Sequence, residues 1–326
     1  MTYKLDLKDK RILYELDRNA RISYSQLAKK VMLNQNSVIY RIEQLKKKEI
    51  IKEFRTIVNV GKLGYITSNL FVNLQNTTPE KEKEIIDFLK EQEVVNWIVS
   101  VEGNYNIGFS MITKNVLEID YVWKHLMHNY INYIDKRRFT IMNKTVYFSK
   151  AYLMDDKIND FEIMTYSDPE EVKLDDLDLK ILDILANNCR TKIIDIAKSI
   201  KVTPKTVISR IKNLEEKQVI VGYKTSMNIE KLGYHYYKVS FMLHNLTHEK
   251  IIAFIRYSKN NPNITFYLRD IGGEDFEIEV QVKSIEELKE IIDDIRIKFS
   301  DIIREYSMML FYREHKHYHF PIKNNT

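Results

Sequence analysis

The chain has 326 residues, 44% hydrophobic and 30% charged, a composition that fits soluble globular domains and excludes an intrinsically disordered protein. Its length exceeds one ordinary domain, so roughly two to four small domains are expected, and its net charge is +5. A single cysteine excludes an internal disulfide and a cysteine-rich metal site, and with no apolar signal core or bilayer-length apolar run, we expect a cytoplasmic protein without a membrane segment.

Positive charge is concentrated in two separate stretches of the chain. The net charge is +8 over residues 1–65 and +4 over residues 173–234, whereas residues 151–172 carry −6. One such stretch is as well explained by a solvated, lysine-rich surface. Two of them, each carrying the helical pattern described next, favour a polyanionic partner.

The first basic stretch predicts three helices followed by a strand. Apolar residues recur there at helical spacing in three segments: Ile12, Leu13 and Leu16; Leu27, Ala28 and Val31; Val38, Ile42 and Leu45. A turn at residues 32–34 precedes the third segment, and Asn34 is a good N-cap residue for it. Residues 50–58 have the composition of a strand. Helix, short helix, turn, helix and β-wing together predict a winged helix-turn-helix domain.

The polar face of the third helix is where a DNA major groove would make contact. The predicted DNA-binding residues are Gln35, Asn36, Ser37, Tyr40 and Arg41, with Arg55 from the wing. Phosphate contacts would provide affinity, and side chains on base edges would select sequence. Arg41 has two interpretations, a phosphate contact or an ion pair with an acid such as Asp9. The alternative for the whole unit is a helical bundle whose polar face is only solvated.

After the wing, the pattern changes to strands and helices in the order βαββαβ. Residues 70–74, 94–101 and 139–148 are strand-like, and Thr78-Pro79 is a typical helix start. In residues 275–283, apolar side chains alternate with Asp, Glu and Gln, which predicts a half-buried strand. This order is the ferredoxin-like split βαβ pattern.

The whole pattern occurs twice, 169 residues apart and without a gap. Residues 9–13 fall on 178–182, residues 38–42 fall on 207–211, and residues 62–65 fall on 231–234. The second copy caps its third helix with Thr203 and places Pro204 at the first helical position. Its predicted DNA-binding residues are Lys205, Thr206, Ser209, Arg210 and Lys224. Arg210 has the same two interpretations as Arg41, with Asp178 as the acid.

The ordered set of motifs resembles the Lrp/AsnC family, the feast/famine or leucine-responsive regulatory proteins. It comprises Asp9, Ile12-Leu13, Leu16, Leu27-Ala28, Arg41-Ile42 and Leu63-Gly64-Tyr65, and again Asp178, Ile181-Leu182, Arg210-Ile211 and Leu232-Gly233-Tyr234. The resemblance covers nearly the whole chain, twice. It implies an α+β fold of two tandem repeats, each a winged helix-turn-helix followed by a ferredoxin-like, ACT-like effector and dimerisation domain.

The resemblance and the duplication together predict five segments. They are winged helix-turn-helix domains at 1–65 and 173–234, ferredoxin-like domains at 66–150 and 235–320, and a solvated acidic linker at 151–172. Relatives need two chains for the core dimer, so we expect the two α/β domains to pack sheet against sheet within this chain. Further self-association of such pseudo-dimers is an additional expectation.

A glycine hairpin in each α/β domain is the predicted effector site. In the family a turn of this kind lies near a small-molecule site that often takes an amino acid. The residues are Gly103, Asn104, Tyr105 and Asn106, and Gly272, Gly273, Glu274 and Asp275. Here Asn106 replaces the acid of the family pattern and Glu274 replaces its tyrosine, so an ammonium group would find only Asp275. The alternative is a glycine turn needed only for its positive φ.

The remaining residue patterns favour no cofactor, no metal site and no enzyme activity. His315, His317 and His319 alternate and could bind a metal, although a solvated tail explains them as well. Trp97 and Phe266 are expected in the core. The sequence therefore predicts a DNA-binding transcriptional regulator, and the resemblance implies a small-molecule effector such as an amino acid. Two alternatives stay open, a siroheme-decarboxylase-like enzyme on the same architecture and a DNA-compacting protein.

Overall fold

The first repeat begins with three helices and one strand. The computed structural model describes residues 3–154, 161–167, 170–318 and 320, and it opens with α1 (Leu7–Arg18), α2 (Tyr24–Val31), α3 (Gln35–Lys47) and β1 (Ile51–Val58). Ile12, Leu27 and Val38, one from each predicted stripe, are fully buried. Asn34 caps α3 by accepting a hydrogen bond from the Ser37 amide at 2.8 Å. The predicted helix-turn-helix unit is confirmed.

The first α/β domain follows in the predicted βαββαβ order. Its elements are β2 (Ile66–Leu74), α4 (Pro79–Glu91), β3 (Val95–Glu102), β4 (Ile107–Thr113), α5 (Val116–Tyr130) and β5 (Ile134–Phe148). Its sheet has the order β5-β2-β4-β3, which is the ferredoxin-like arrangement. One face packs on α4 and α5 through Ile86, Leu89 and Leu126, among others.

The described residues of the segment between the repeats include a buried turn and a strand. Ala151, Tyr152 and Leu153 are buried in a short 3-10 turn, and β6 (Glu162–Tyr166) pairs with β5. Ile163 of β6 packs directly on Gly222, where an added Cβ atom would overlap its side chain. The linker prediction is therefore wrong for these residues, because their apolar side chains join the core despite the acidic composition around them. Residues 155–160 and Pro169 lie outside the described residues.

The second repeat reproduces the first. Its elements are α6 (Asp176–Asn187), α7 (Ile193–Ser199), α8 (Pro204–Glu216), β7 (Ile220–Met227), β8 (His235–Leu243), α9 (His248–Asn260), β9 (Ile264–Ile271), β10 (Phe276–Val282), α10 (Ile285–Lys298) and β11 (Ile303–His317). Each strand from β7 to β11 begins 169 residues after its counterpart among β1 to β5. In the part of the chain that the structure describes, no helix has both the length and the apolar composition needed to cross a membrane.

The two α/β domains join edge to edge and close into a barrel. The strand order is β2-β4-β3-β11-β8-β10-β9-β5, and β5 pairs again with β2, so four strands of each repeat form one ring. The joints are β3 with β11 and β5 with β9. We predicted sheet packed against sheet, which is wrong. Each repeat has two free sheet edges, and closure pairs every edge with the other repeat.

The strands predicted as separate wings pair with each other. β1 and β7 form a two-stranded antiparallel ribbon in which Arg55 stands opposite Lys224 and Thr56 opposite Tyr223. The ribbon lies against the barrel, because Lys224 Nζ donates to the Phe148 carbonyl oxygen at 2.9 Å and Arg55 contacts His317. The two helix-turn-helix units are thus bridged by a shared sheet.

Each winged helix also packs on the strand of the other repeat. The Ala20 amide donates to the Tyr223 carbonyl and the Cys189 amide donates to the Phe54 carbonyl, both at 2.9 Å. Thr56 Oγ1 donates to the Leu185 carbonyl at 2.7 Å, and Thr225 Oγ1 donates to its equivalent, Leu16, at 2.9 Å. These reciprocal bonds and one continuous apolar core fix the two units relative to each other.

A buried ion cluster joins α1, β7 and the segment that follows β5. Asp17, at the end of α1, is fully buried and accepts from Lys150 Nζ at 2.9 Å and from Lys224 Nζ at 3.0 Å. Burial alone would raise the pKa of Asp17, but the two ammonium groups hold it below its ordinary value. The position equivalent to Asp17 in the second repeat is Ala186, so the cluster occurs once.

Replacing Asp17 by Asn should destabilise the protein by about 3–5 kcal/mol, because two ammonium groups would stay buried without a counter-ion. Urea denaturation followed by circular dichroism measures this loss. The matched control is Asp120→Asn, which breaks the surface pair with Lys124, whose side chains are 42% and 73% exposed. That change should cost less than about 1 kcal/mol. Equal losses in the two variants would contradict the cluster's structural role.

Candidate nucleic-acid interface and interior cavity

The first recognition face lies on α3, where most of the predicted residues are exposed. Gln35 and Asn36 are exposed, and Tyr40 keeps 65% of its surface accessible. Ser37 is half-buried near the helix start that Asn34 caps. An amide-rich helix start followed by an aromatic side chain can donate to base edges and pack against a sugar or a base.

The second recognition face lies on α8 and has a different chemistry. Lys205 and Ser209 are exposed, whereas Thr206 is half-buried and its hydroxyl lies 2.8 Å from that of Thr203 at the N-cap. Thr206 therefore contributes to the cap. Ile208 and Lys212 were not predicted, although they are exposed on the same face. Their spacing from Lys205, three and seven residues, was the available signal.

Arg41 and Arg210 form ion pairs with acids of the preceding helices. Arg41 Nη1 lies 2.7 Å from both Asp6 and Asp9, and Arg210 Nη1 lies 2.6 Å from Asp175. Hydrogen bonds donated to these carboxylates raise the pKa of both guanidinium groups. The structure therefore supports the ion-pair interpretation for both arginines. These ion pairs hold recognition helix α3 against α1 and recognition helix α8 against α6.

Arg55 and Lys224 do not lie at a DNA-facing surface. Arg55 is 9% exposed and Lys224 is 6% exposed, because both side chains point from the ribbon toward the barrel. Arg55 Nε donates to Glu53 at 2.9 Å, and Lys224 belongs to the Asp17 cluster. The prediction that they bind DNA is wrong. The prediction assumed that β1 and β7 were two free wings. In the structure these strands pair with each other, and the face that carries Arg55 and Lys224 turns toward the barrel.

The glycine hairpins pack on the opposite repeat. Gly103 and Gly272 have φ of +136° and +85°, and each lies close to a backbone carbonyl of the other repeat's long strand. Asn104 is an exposed residue of the first turn. The turn geometry thus requires glycine whether or not a ligand binds.

The acid proposed for an effector ammonium is already occupied by the main chain. Asp275 accepts from the Leu243 amide at 2.7 Å, and Asn106 accepts from the equivalent Leu74 amide at 2.7 Å. Glu274 pairs with Arg138, and Gly273 lies against the same guanidinium. Tyr105 packs on Phe71 with the ring centroids 5.9 Å apart. An effector role for the hairpins stays a prediction, and Asp275 would have to leave its amide partner to serve it.

A cavity of about 680 Å³ lies between the ribbon and the interior of the barrel. Aromatic side chains supply much of its wall: Phe71, Trp97, Tyr147, Tyr236, Phe266 and Phe311. Trp97 and Phe266 were predicted as core residues but are only half-buried, because both face this space. Polar contributions come from Arg55, Lys150, Lys224, Lys238, Glu279 and Glu314. The sequence did not predict the cavity.

The C-terminal histidines belong to the barrel wall. His317 pairs with Trp97 across the β3–β11 joint, and its Nδ1 lies 2.8 Å from both Arg55 Nη1 and Glu314 Oε2. Burial lowers the pKa of His317, and Arg55 lowers it further. His315 Nε2 lies 2.8 Å from Ser100 Oγ. A solvated tail is therefore wrong for these two, and His319 lies outside the described residues. Across the described ranges, no group of three or more His, Cys, Asp or Glu residues is placed to hold a metal ion.

Comparison with known proteins gives two kinds of likeness. A family model for a winged helix-turn-helix DNA-binding domain matches residues 5–52 and 174–221. The transcriptional regulator LrpA of Pyrococcus horikoshii is 34% identical over 103 residues, which is 32% of this chain and 72% of that protein. The regulatory protein AsnC of Haemophilus influenzae is 28% identical over 117 residues, or 36% of this chain and 77% of that protein.

One solved structure resembles the chain over both repeats. The siroheme decarboxylase NirDL, in co-complex with an iron-uroporphyrin III analogue, superposes with a TM-score of 0.63 and 14% identity. The match covers 96% of this chain and 94% of that one. At this identity the likeness shows a shared fold and nothing about activity.

Proposed function

This chain belongs to the Lrp/AsnC family of helix-turn-helix transcriptional regulators, and we propose that it binds double-stranded DNA as a single-chain pseudo-dimer. The recognition elements are α3 and α8. The observation that carries the proposal is the reciprocal packing of the two helix-turn-helix units. A ribbon, a closed barrel and crossed hydrogen bonds hold two exposed recognition faces in one fixed relation.

Fixed spacing between two recognition helices is what a two-part DNA site requires. Helix-turn-helix dimers present two recognition helices to half-sites about 34–36 Å apart, or a multiple of that. A homodimer must present the same face twice. Here one face offers Gln35, Asn36 and Tyr40, while the other offers Lys205, Ile208 and Ser209. We therefore propose that the preferred site is asymmetric.

Small-molecule control is the second part of the proposal. The hairpin residues remain the candidate amino-acid site, but the main-chain bond to Asp275 weakens the case for it. The cavity between the ribbon and the barrel is a better-formed site, since it combines aromatic walls with buried charges. A ligand there would touch the ribbon that joins the two DNA-binding units.

Binding to DNA should weaken steeply with salt, because phosphate contacts release counter-ions. We expect Lys205→Ala to lower the affinity for a random-pool duplex and to reduce the log–log salt slope by about 1. Fluorescence anisotropy at several salt concentrations measures both. Lys83→Ala, at a 77% exposed position on α4, is the matched control and should behave like the unchanged protein. An affinity that does not vary with salt would contradict this interface.

Making the two recognition faces alike should make the preferred DNA site more palindromic. The triple change Gln35→Pro, Asn36→Lys and Ser37→Thr gives α3 the first residues of α8. Selection from a random-sequence library before and after the change measures the symmetry of the site. An unchanged preference would count against readout by α3. Uniform binding without any preferred sequence would instead support DNA compaction.

A second candidate function is decarboxylation of a tetrapyrrole. The aromatic, charge-lined cavity favours it, together with the shared fold of NirDL. If the chain is a regulator, we expect siroheme to be recovered unchanged after incubation with it. Mass spectrometry would detect any loss of carbon dioxide from the tetrapyrrole. Conversion by the wild-type chain would replace the regulator proposal with an enzymatic one.

A further inference from the structure

We propose that the cavity between the ribbon and the barrel binds one small aromatic monocarboxylic acid. The cavity volume, about 680 Å³, falls within the range of roughly 300–1,000 Å³ that is typical of small-molecule sites. One wall is the β1–β7 ribbon and the other is the inside of the barrel. Lys52, Tyr312 and Arg313 line the same space and are exposed, so the cavity opens to solvent on that side.

The aromatic side chains give this site its preference for a flat apolar body. Trp97 and Phe311 meet edge to face across the β3–β11 joint, with centroids 5.6 Å apart. Tyr147 and Phe266 meet at 4.9 Å across the opposite joint, β5–β9. Aromatic groups therefore line both joints of the barrel. Such rings favour edge-to-face or offset contact with another ring placed between them.

The buried charges around the cavity leave one positive charge in excess. Lys150 and Lys224 share Asp17, and among the described residues neither has another carboxylate within ion-pair distance. Arg55 lies beside Glu53 and Glu314, so that part of the wall is not positive. A buried net positive charge is costly, and an anion beside it would offset that cost. Burial lowers the pKa of Lys224 to about 8, which leaves it protonated at neutral pH.

The carboxylates on the barrel side do not neutralise that excess. Glu277 is already bonded to Lys238 at 2.6 Å and paired with Arg138. Glu279 accepts from the Tyr236 hydroxyl rather than from Lys150 or Lys224, and burial raises the pKa of its carboxyl. The excess thus stays near one unit, next to Lys224. It matches a ligand with a single carboxylate rather than a tetrapyrrole with many.

Divergence between the repeats makes the cavity one-sided. Under the 169-residue shift, Asn69 corresponds to Lys238, Ser110 to Glu279, and Thr145 to Glu314. All six line the cavity, so the first repeat supplies neutral side chains where the second supplies charged ones. A symmetric homodimer could not differ in this way. The ligand is therefore bound once per chain, in one orientation, with its carboxylate at Lys150 and Lys224.

The test is calorimetric titration of the full chain without DNA, so its outcome is independent of the DNA-binding proposal. The probes are 2-naphthoate, its neutral match 2-naphthamide, and siroheme. We expect one naphthoate per chain, bound about tenfold more tightly than naphthamide, as one charge-assisted contact provides. Trp97 lines the cavity, and Trp123 is the other tryptophan of the chain. In a Trp123→Phe variant, naphthoate should therefore change the fluorescence emission of Trp97.

The variant Lys224→Met removes the excess positive charge and leaves Lys150 and Asp17 as a balanced pair. The preference of this variant for naphthoate over naphthamide should fall to about twofold or less. The control Lys298→Met, a surface change on α10, should keep the tenfold preference. Three results on the wild-type chain would overturn the proposal even if the variant fails to fold. They are equal affinity for naphthoate and naphthamide, no binding of either at millimolar concentration, and tighter binding of siroheme than of naphthoate.

Discussion

Closure of the barrel is the constraint on which the rest of this structure depends. Each ferredoxin-like sheet has two free edges, and each edge is paired by a strand from the other repeat. Unpaired edges would expose rows of backbone donors and acceptors to other chains, and closure removes them. Closure joins the two repeats at both edges of each sheet. It therefore brings together β1 and β7, the strands that precede the barrel strands of each repeat. Their pairing then sets where the helix-turn-helix units lie.

Fusion of the two repeats has allowed equivalent positions to diverge. Asp17 faces two lysines, whereas its counterpart Ala186 carries no charge. Lys224 is held by that aspartate, while its counterpart Arg55 contacts Glu314 and His317. A pair of identical chains must keep such sites equal. The single chain thus has two different recognition helices, α3 and α8, on its surface. Its interior cavity is positively charged on one side, at Lys150 and Lys224.

The sequence predicted what depends on local pattern. Asn34 and Thr203 were identified as caps from residue type and position alone, and the βαββαβ order followed from alternating strands and capped helices. What it could not provide was the pairing of distant strands, because the residues that pair across β5 and β9 are more than a hundred positions apart and carry no local signal. Arg55 and Lys224 were misplaced for this reason. On a free wing, the side chains of Arg55 and Lys224 would point to solvent. In the paired ribbon that covers the barrel, they point inward.

The outer surface and the inner cavity connect through the ribbon. Its inner face supplies Arg55 and Lys224 to the cavity, and its ends continue into the domains that hold α3 and α8. We propose that one chain uses both helices on one duplex. Hydroxyl-radical footprinting of the selected site, with the mass of the complex from light scattering, would test this. We expect one chain per duplex and two protected segments about 34–36 Å apart or a multiple of that. A single protected segment, or two chains for each pair of segments, would contradict it.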